Sequence, residues 1–350
     1  MKILCIGDLH FKQDLAYADY VPDRRETERQ EVLNTIVRAG TMADIIVFLG
    51  DNFDVKNPPS QVVRKFTEFV ERFNGKPIYI LAGNHEKSAD GKSAIDYLKE
   101  VKNPNWEIIT DIISTIGDMV FCPYFYRQEL RTETYEEATK ELMGRISTSS
   151  HPEPRSPQPN IGRFLFVHHA VSDTQTITGQ NTNLFPEIVL PKTEIESMFD
   201  LIIGGHIHKP SQYGKTLVTG SIFTNEAGDT EKFVFLIDTE SLNIETIKLP
   251  TRPIYRLENP KFELLESLNP NSIVKAVLTD KEAPSSEEYK QILRRFDAYV
   301  LIEQYPNQRK KLHLDEGAML EFSVENLLGM YAEEKKVDLG KLLKAWELVK

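Results

Sequence analysis

The 350-residue sequence has only two cysteines, Cys5 and Cys122, and each stands in an apolar run. Thiols placed so read as reduced and packed rather than bridged, which points to a cytosolic protein. No apolar run approaches the roughly 20 residues that a membrane-spanning helix needs. The apolar opening Met1–Ile6 ends at Gly7-Asp8. It is too short for a secretory signal and reads as a buried first strand. Basic charge is also short: 42 Lys and Arg face 53 Asp and Glu, a net charge of −11. That excludes a general nucleic-acid-coating protein with a broad basic surface. It leaves room for a nuclease in which metal cations offset acidic ligands, or in which a partner protein supplies the DNA-binding charge. No internal repeat is present. What remains is ordinary globular composition, 40% hydrophobic and 27% charged, enough for a sizeable core, at a length that suggests one large domain plus a smaller one, or two to three units.

The first half alternates strand and helix patterns. Ile3–Ile6, Ile45–Leu49 and Ile78–Ala82 are continuous apolar runs of strand length. Between them Glu26–Ala39 places Val32, Ile36 and Ala39 on one helical face, and Ser60–Phe73 spaces Val63, Phe66, Phe69, Val70 and Phe73 likewise. This βαβαβ order predicts an α/β domain whose parallel strands are buried on both faces. Arg131–Ile146 reads as an amphipathic helix, and the Ser- and Pro-rich stretch Ser147–Asn160 as an exposed loop. Strand patterns return at Phe164–Val167, Leu201–Ile203, Leu217–Val218, Phe233–Ile237 and Ile244–Lys248. Ile273–Leu278, Ser286–Phe296 and Tyr299–Ile302 then form a small βαβ-like pattern, and from Ser323 onward the periodicity is helical. The expected domains are 1–250, a small α/β cap over 251–315, and C-terminal helices over 316–350.

Five apolar runs end in metal-type ligands: Asp8 and His10, Asp51, Asn84 with His85, His168, and His206 with His208. A lone histidine after a strand is most often a satisfied core or surface group. The set is another matter, because parallel neighbouring strands bring their carboxyl ends together, where open α/β sheets hold ligands. Hydrolysis of a phosphate ester needs a strong nucleophile at neutral pH and charge stabilisation on phosphoryl oxygens. Two divalent ions about 3.5–4 Å apart answer both needs by acidifying a bridging water and holding the phosphate. Asp51 is placed for the bridging carboxylate. Mixed nitrogen and oxygen donors suit Mn, Fe or Zn. His85, directly after Asn84, reads as the group that protonates the leaving oxygen or stabilises negative charge.

Gly7-Asp8-Leu9-His10, Gly50-Asp51-Asn52-Phe53-Asp54, Gly83-Asn84-His85-Glu86, Val167-His168 and Gly205-His206-Ile207-His208 resemble, in order and spacing, the calcineurin-like metallophosphoesterase family. Within it the likeness is to the repair and recombination nucleases of the SbcD type, bacterial and phage branch. The resemblance implies a four-layer α/β (α+β) fold, two packed sheets flanked by helices, plus the small βαβ cap and the C-terminal helices. It implies one metal on Asp8, His10, Asp51 and His208, and the other on Asp51, Asn84, His168 and His206. Mn²⁺ is the expected ion, with Mg²⁺, Fe²⁺ or Zn²⁺ as alternatives. It also implies a DNA exonuclease and endonuclease that works with an SMC-like ABC-type ATPase (SbcC type), bound through the C-terminal helices. A homodimer through the helix beginning at Ser60 is a further implication. Asn52 stands where an apolar residue is usual. Asp54 stands where eukaryotic and archaeal relatives carry histidine, and if it lies near His85 it can orient that ring.

His169 competes with His168 as ligand; His168 is preferred because it follows the strand directly. His151, His313 and the run Arg309-Lys310-Lys311 read as solvated. Tyr124, Phe125 and Tyr126 read equally as a base-stacking cluster and as core. The rival function is a stand-alone metallophosphoesterase acting on nucleotides, cyclic nucleotides or phosphoproteins. Protein phosphatases carry an arginine just after their second motif, whereas here Val55, Lys56 and Asn57 follow Asp54.

Overall fold

A computed structural model describes residues 1–303, apart from 18–21, 74, 150–161, 227, 230, 280–283 and 297, together with 338, 340 and 341. β1 (Lys2–Ile6) leads into α1 (Pro22–Thr41), β2 (Ile45–Phe48), α2 (Ser60–Glu71), β3 (Ile78–Leu81), α3 (Tyr97–Glu100) and β4 (Trp106–Ile109). Next come β5 (Ser114–Ile116), β6 (Met119–Cys122), α4 (Tyr135–Ser149), β7 (Phe164–Val167), β8 (Ala170–Val171), β9 (Val189–Leu190), α5 (Lys192–Met198) and β10 (Leu201–Gly204). β11 (Ser211–Tyr213), β12 (Thr216–Val218), β13 (Phe233–Asp238) and β14 (Ile244–Lys248) complete two large sheets. β15 (Ile254–Glu258), α6 (Phe262–Ser267), β16 (Ile273–Leu278), α7 (Ser286–Leu293) and β17 (Ala298–Glu303) follow.

One sheet has the order β14-β13-β1-β2-β3-β4 and the other β11-β12-β10-β7-β6-β5. Strand periodicity places the layers. In β1, Ile3 and Cys5 enter the core between the sheets, where they join Phe121, Phe166 and Ile203 of the second sheet. Leu4 and Ile6 point the other way, into the core that α1 and α2 cover with Val32, Ile36, Phe66 and Phe69. Ala138, Leu142 and Ile146 of α4 and Ile195 of α5 cover the far face of the second sheet. The result is helix, sheet, sheet, helix: the four layers that the resemblance implied. Both cysteines are buried and free, and burial pushes both thiols up, Cys122 to about 12.

Three details differ from the sequence reading. The α4 helix starts at Tyr135, not Arg131. Thr134 and Glu137 make the reason, a reciprocal cap in which Thr134 Oγ1 accepts from Glu137 N at 3.1 Å and Glu137 Oε2 from Thr134 N at 3.2 Å. The small unit is βαβαβ rather than βαβ. β15 runs parallel to β16, and β16 parallel to β17. Its edge strand β15 is half exposed and carries Arg256 and Glu258, so periodicity did not disclose it. The unit has its own core around Leu265, Val274, Tyr289 and Leu293, and belongs to one compact body, Met1–Gln304. Thirdly, the apolar stripe of α2 buries Val62 fully and leaves Val63 partly exposed. The expected C-terminal helices over 316–350, apart from 338, 340 and 341, lie outside the described residues, with Arg309-Lys310-Lys311 and His313, as do His151 and most of the Pro-rich stretch. Among the described residues no helix is long and apolar enough to cross a membrane.

Candidate metal centre

The site is built where the parallel strands stop. β1 pairs in parallel with β2, β2 with β3, and in the second sheet β7 with β10. Their carboxyl ends deliver Asp8, Asp51, Asn84, His168 and His206 to one place. Three of the ligand candidates take up left-handed backbone: His10 (φ 43°), Asp51 (φ 46°) and His206 (φ 76°). For residues with a Cβ this conformation costs on the order of 1 kcal/mol or more each, and such strain collects at functional sites. Two glycines are required by close approach. A Cβ on Gly50 (φ 100°) would lie 2.3 Å from His168 Nδ1, and one on Gly83 would lie 2.2 Å from the Asp51 amide nitrogen and from its Oδ1.

Among the described residues the donor atoms fall into three overlapping groups: Asp8, His10 and His208; Asp51, His168 and His206; and His10, Asp51 and His85, which joins the first two through His10 and Asp51. Asp51 Oδ2 stands 3.3 Å from His168 Nε2 and 3.7 Å from His10 Nε2, so it lies between them. Its other oxygen accepts the His85 amide at 2.9 Å. His168 donates Nδ1–H to the Leu49 carbonyl at 2.6 Å, which leaves Nε2 facing Asn84 Oδ1 at 3.3 Å. Asn84 Oδ1 is also 2.9 Å from His206 Nδ1. In the first group His10 Nε2 and His208 Nε2 face each other at 2.9 Å. Asp8 Oδ1 accepts the His206 amide at 3.1 Å. Its Oδ2 is fully buried, finds no donor, and points toward His208 Nε2 at 3.8 Å.

Ring nitrogens and oxygens crowded this closely repel wherever no proton lies between them, and a buried carboxylate oxygen without a donor is costly. Both features are what a divalent cation at each point resolves, and the mixed N/O donor set fits such ions. The electrostatics agree. Burial alone would raise the Asp51 carboxyl, yet His168, His10 and His85 hold it well below the carboxylate range. Burial would lower His168, but Asp51, Asp8 and Glu86 push it up to about 10. The cluster demands positive charge.

His85 is the most open member, with its side chain 41% exposed. Its Nδ1 donates to the Asp54 backbone carbonyl at 3.1 Å, and Nε2 faces Asp51 Oδ2 at 4.0 Å. This corrects the expected contact of Asp54: its carboxylate does not orient His85. It lies 3.4 Å from His10 Nδ1 and 3.5 Å from Lys12 Nζ. The turn after β2 directs the Asp54 carbonyl and carboxylate to two different histidines. His169 turns away from the cluster, accepts the Phe125 amide at 3.0 Å and stacks on Tyr124. Tyr124 and Phe125 are buried. Tyr126 instead donates its hydroxyl to the Asn84 and Lys87 carbonyls, at 2.9 and 3.1 Å, and so holds the turn that carries Asn84 and His85.

Asn52 also has a role that sequence did not disclose. Its Nδ2 donates to the Leu81 carbonyl at 2.8 Å and to Glu86 Oε1 at 2.9 Å, tying the second motif to the third. Glu86 is 1% exposed and accepts from Gly83 N as well. Burial, then the Asp51 charge, push the Glu86 carboxyl up to about 7. Asn52→Leu removes one of its donors without making a cavity. We expect a loss of about 1–3 kcal/mol in urea unfolding; a variant of unchanged midpoint would show that the bond contributes nothing. Glu86, Tyr126, Glu187 and Glu226 are the participants that strand-end reading passes over, because none of them ends an apolar strand.

The cleft beside these groups has a volume of about 320 Å³, and Asn84, His85, Ile177, Phe185 and Glu226 are among its walls. The model of the calcineurin-like phosphoesterase family matches residues 1–210. Over 239 residues the chain is 24% identical to the SbcD component of the SbcCD nuclease of Staphylococcus epidermidis, 61% of this chain and 61% of that protein. It is 33% identical over 89 residues to the SbcD component of the same nuclease of Bacillus subtilis, 25% of this chain and 22% of that protein. Both matches span less than two thirds of the relative. Among solved structures, a Thermus thermophilus protein is similar at TM-score 0.41, 13% identical, with 71% of this chain and 98% of that chain covered. An archaeal phosphodiesterase is similar at TM-score 0.35, 16% identical, with 71% and 100% covered.

Proposed function

Because the chain belongs to the calcineurin-like phosphoesterase family, we propose that its strand-end cluster holds two divalent cations, Mn²⁺ first among them, and hydrolyses DNA phosphodiester bonds. The carrying observation is the convergence of histidine, aspartate and asparagine donors on two points joined by Asp51. Asp8, His10, Asp51 and His208 would hold one ion, and Asp51, Asn84, His168 and His206 the other. Bound there, the ions supply a water of lowered pKa and neutralise charge on the phosphoryl oxygens. The name shared by the two curated relatives, that of the SbcCD nuclease, supports DNA as substrate.

The remaining work falls to side chains. As water oxygen bonds to phosphorus, the bond to the leaving oxygen breaks and that oxygen takes a proton. His85 is the group to give it, from Nε2, since Nδ1–H is committed to the Asp54 carbonyl. His85→Ala is expected to lower kcat roughly 10²-fold, the modest end of general-acid effects, for a ring this exposed. Mn²⁺ stoichiometry should stay at the wild-type value. Equal loss of metal would move His85 into the ligand set.

The chain is proposed to act as the nuclease component of a repair or recombination complex. An SMC-like ABC-type ATPase would bind residues 316–350, and 251–315 would serve as the cap. A homodimer through α2 would use its outward face, where Gln61, Arg64 and Glu68 are exposed, because its phenylalanines belong to the domain core. The test is Mn²⁺-dependent degradation of end-labelled linear DNA, single- and double-stranded, with a small bis-aryl phosphodiester alongside. Cleavage of DNA that stops with chelator and returns with Mn²⁺ supports the reading. Hydrolysis of the small diester alone, even with the ATPase present, would redirect it to a small substrate. Loss of both would overturn it.

A further inference from the structure

Each of the four histidines proposed as ligands has one ring nitrogen turned inward and the other facing an acceptor. For His168 that acceptor is a backbone carbonyl, Leu49. For the other three it is a carboxylate, and two of these carboxylates come from loops that carry none of the five motifs. Glu187 Oε1 and Oε2 stand 2.9 and 3.0 Å from His206 Nε2. Glu226 Oε1 stands 3.4 Å from His208 Nδ1. We propose that Glu187, and more weakly Glu226, are positioning residues that fix the tautomers of His206 and His208 and thereby set the affinity of each metal point separately. The inference rests on the two-metal reading above.

The chemistry follows from what a carboxylate can do. Ionised, it has no proton to give, so the ring nitrogen facing it must carry one. His206 then holds its proton on Nε2 and offers the Nδ1 lone pair beside Asn84 Oδ1. His208 holds its proton on Nδ1 and offers Nε2 beside His10 Nε2. The two histidines of Gly205-His206-Ile207-His208 are thus set in opposite tautomers, each presenting a different nitrogen to a different group of donors. A carboxylate behind a ligating imidazole also makes it a stronger donor.

Burial ranks the two. The Glu187 side chain is 15% exposed. It directly precedes the buried Ile188 and β9, whose register with β8 pairs Val189 with Ala170, two residues after His168. Glu226 is 58% exposed, and water screens its longer contact. Glu187 therefore carries the larger effect.

The test titrates Mn²⁺ into the chelator-treated full chain by calorimetry and follows the Mn²⁺ electron paramagnetic resonance spectrum. Wild type should bind two ions. Glu187→Ala should weaken one of them by roughly 10–100-fold and leave the other within about twofold, so that one-ion protein accumulates and the exchange-coupled spectrum gives way to a mononuclear one. Glu187→Gln, which keeps an acceptor oxygen, should restore most of the loss and serves as the folded control. Glu226→Ala should weaken the other ion, by less than about tenfold. Two affinities unchanged in Glu187→Ala would overturn the proposal, as would equal weakening of both ions or no rescue by glutamine. A wild type that fails to bind two ions would instead overturn the metal reading beneath it.

Discussion

Asp51→Asn should abolish metal-dependent hydrolysis, with kcat on a small phosphodiester falling by at least about 10³-fold, or roughly 4 kcal/mol of barrier. Asp51 Oδ2 is the one oxygen placed between His10 and His168, at 3.7 and 3.3 Å. Asparagine keeps the shape and can still accept the His85 amide, but it loses the charge that offsets repulsion between two cations. The variant should therefore fold, hold at most one Mn²⁺ per chain, and cleave neither DNA nor the small ester. Stoichiometry by elemental analysis, read beside the rate, separates the causes. Two ions retained with full activity would remove Asp51 from the centre. Two ions retained with activity lost would make it a group acting on the phosphate rather than a bridge.

A second large effect is expected away from the reacting atoms. Lys232 is 1% exposed and Asp229 is 2% exposed, and they pair at 2.6 Å. Lys232 Nζ also donates to Ser221 Oγ at 2.7 Å and to the His208 carbonyl at 3.3 Å. Asp229 Oδ2 accepts the amides of Asn225 and Glu226. The pair thus joins the loop that carries His208 to the one that carries Glu226. Lys232→Met leaves a buried carboxylate without its cation, and the expected cost is about 3–5 kcal/mol of unfolding free energy. Thermal unfolding in chelator should read it, since metal then contributes nothing. Lys232→Met with Asp229→Leu removes both charges and should recover most of the loss. If the single variant were as stable as wild type, water would be reaching Asp229 and the staple would not exist.

The convergence of the metal-type residues was legible because a parallel strand announces itself and its end. Four or five consecutive apolar residues followed by Gly-Asp or Gly-Asn-His are a local signal. Parallel pairing within each sheet places Asp8, Asp51 and Asn84 side by side and His168 beside His206, and the packing of the two sheets brings the two sets together. His168, which follows β7 directly, lies in the cluster, while the next residue, His169, turns to Phe125 and Tyr124. The start of α4 is set by the Thr134–Glu137 cap, a local signal that apolar spacing alone does not carry.

Other features had no local signature. Asp54 lay near the right group, but which histidine its carboxylate meets depended on the turn after β2 and could not be read from spacing. Asn52 looked like a misplaced polar residue until the fold put Glu86 beside it. Glu187 and Glu226 stand in loops without periodicity, 19 and 18 residues from the histidines they contact. By itself, then, the sequence determined the apolar strands that lead to the site and the metal-type residues that follow them, because hydrophobic period and glycine placement act within a few residues. Which nitrogen of each histidine faces inward was decided only by the tertiary structure, because the hydrogen-bond acceptors that settle it arrive from distant loops.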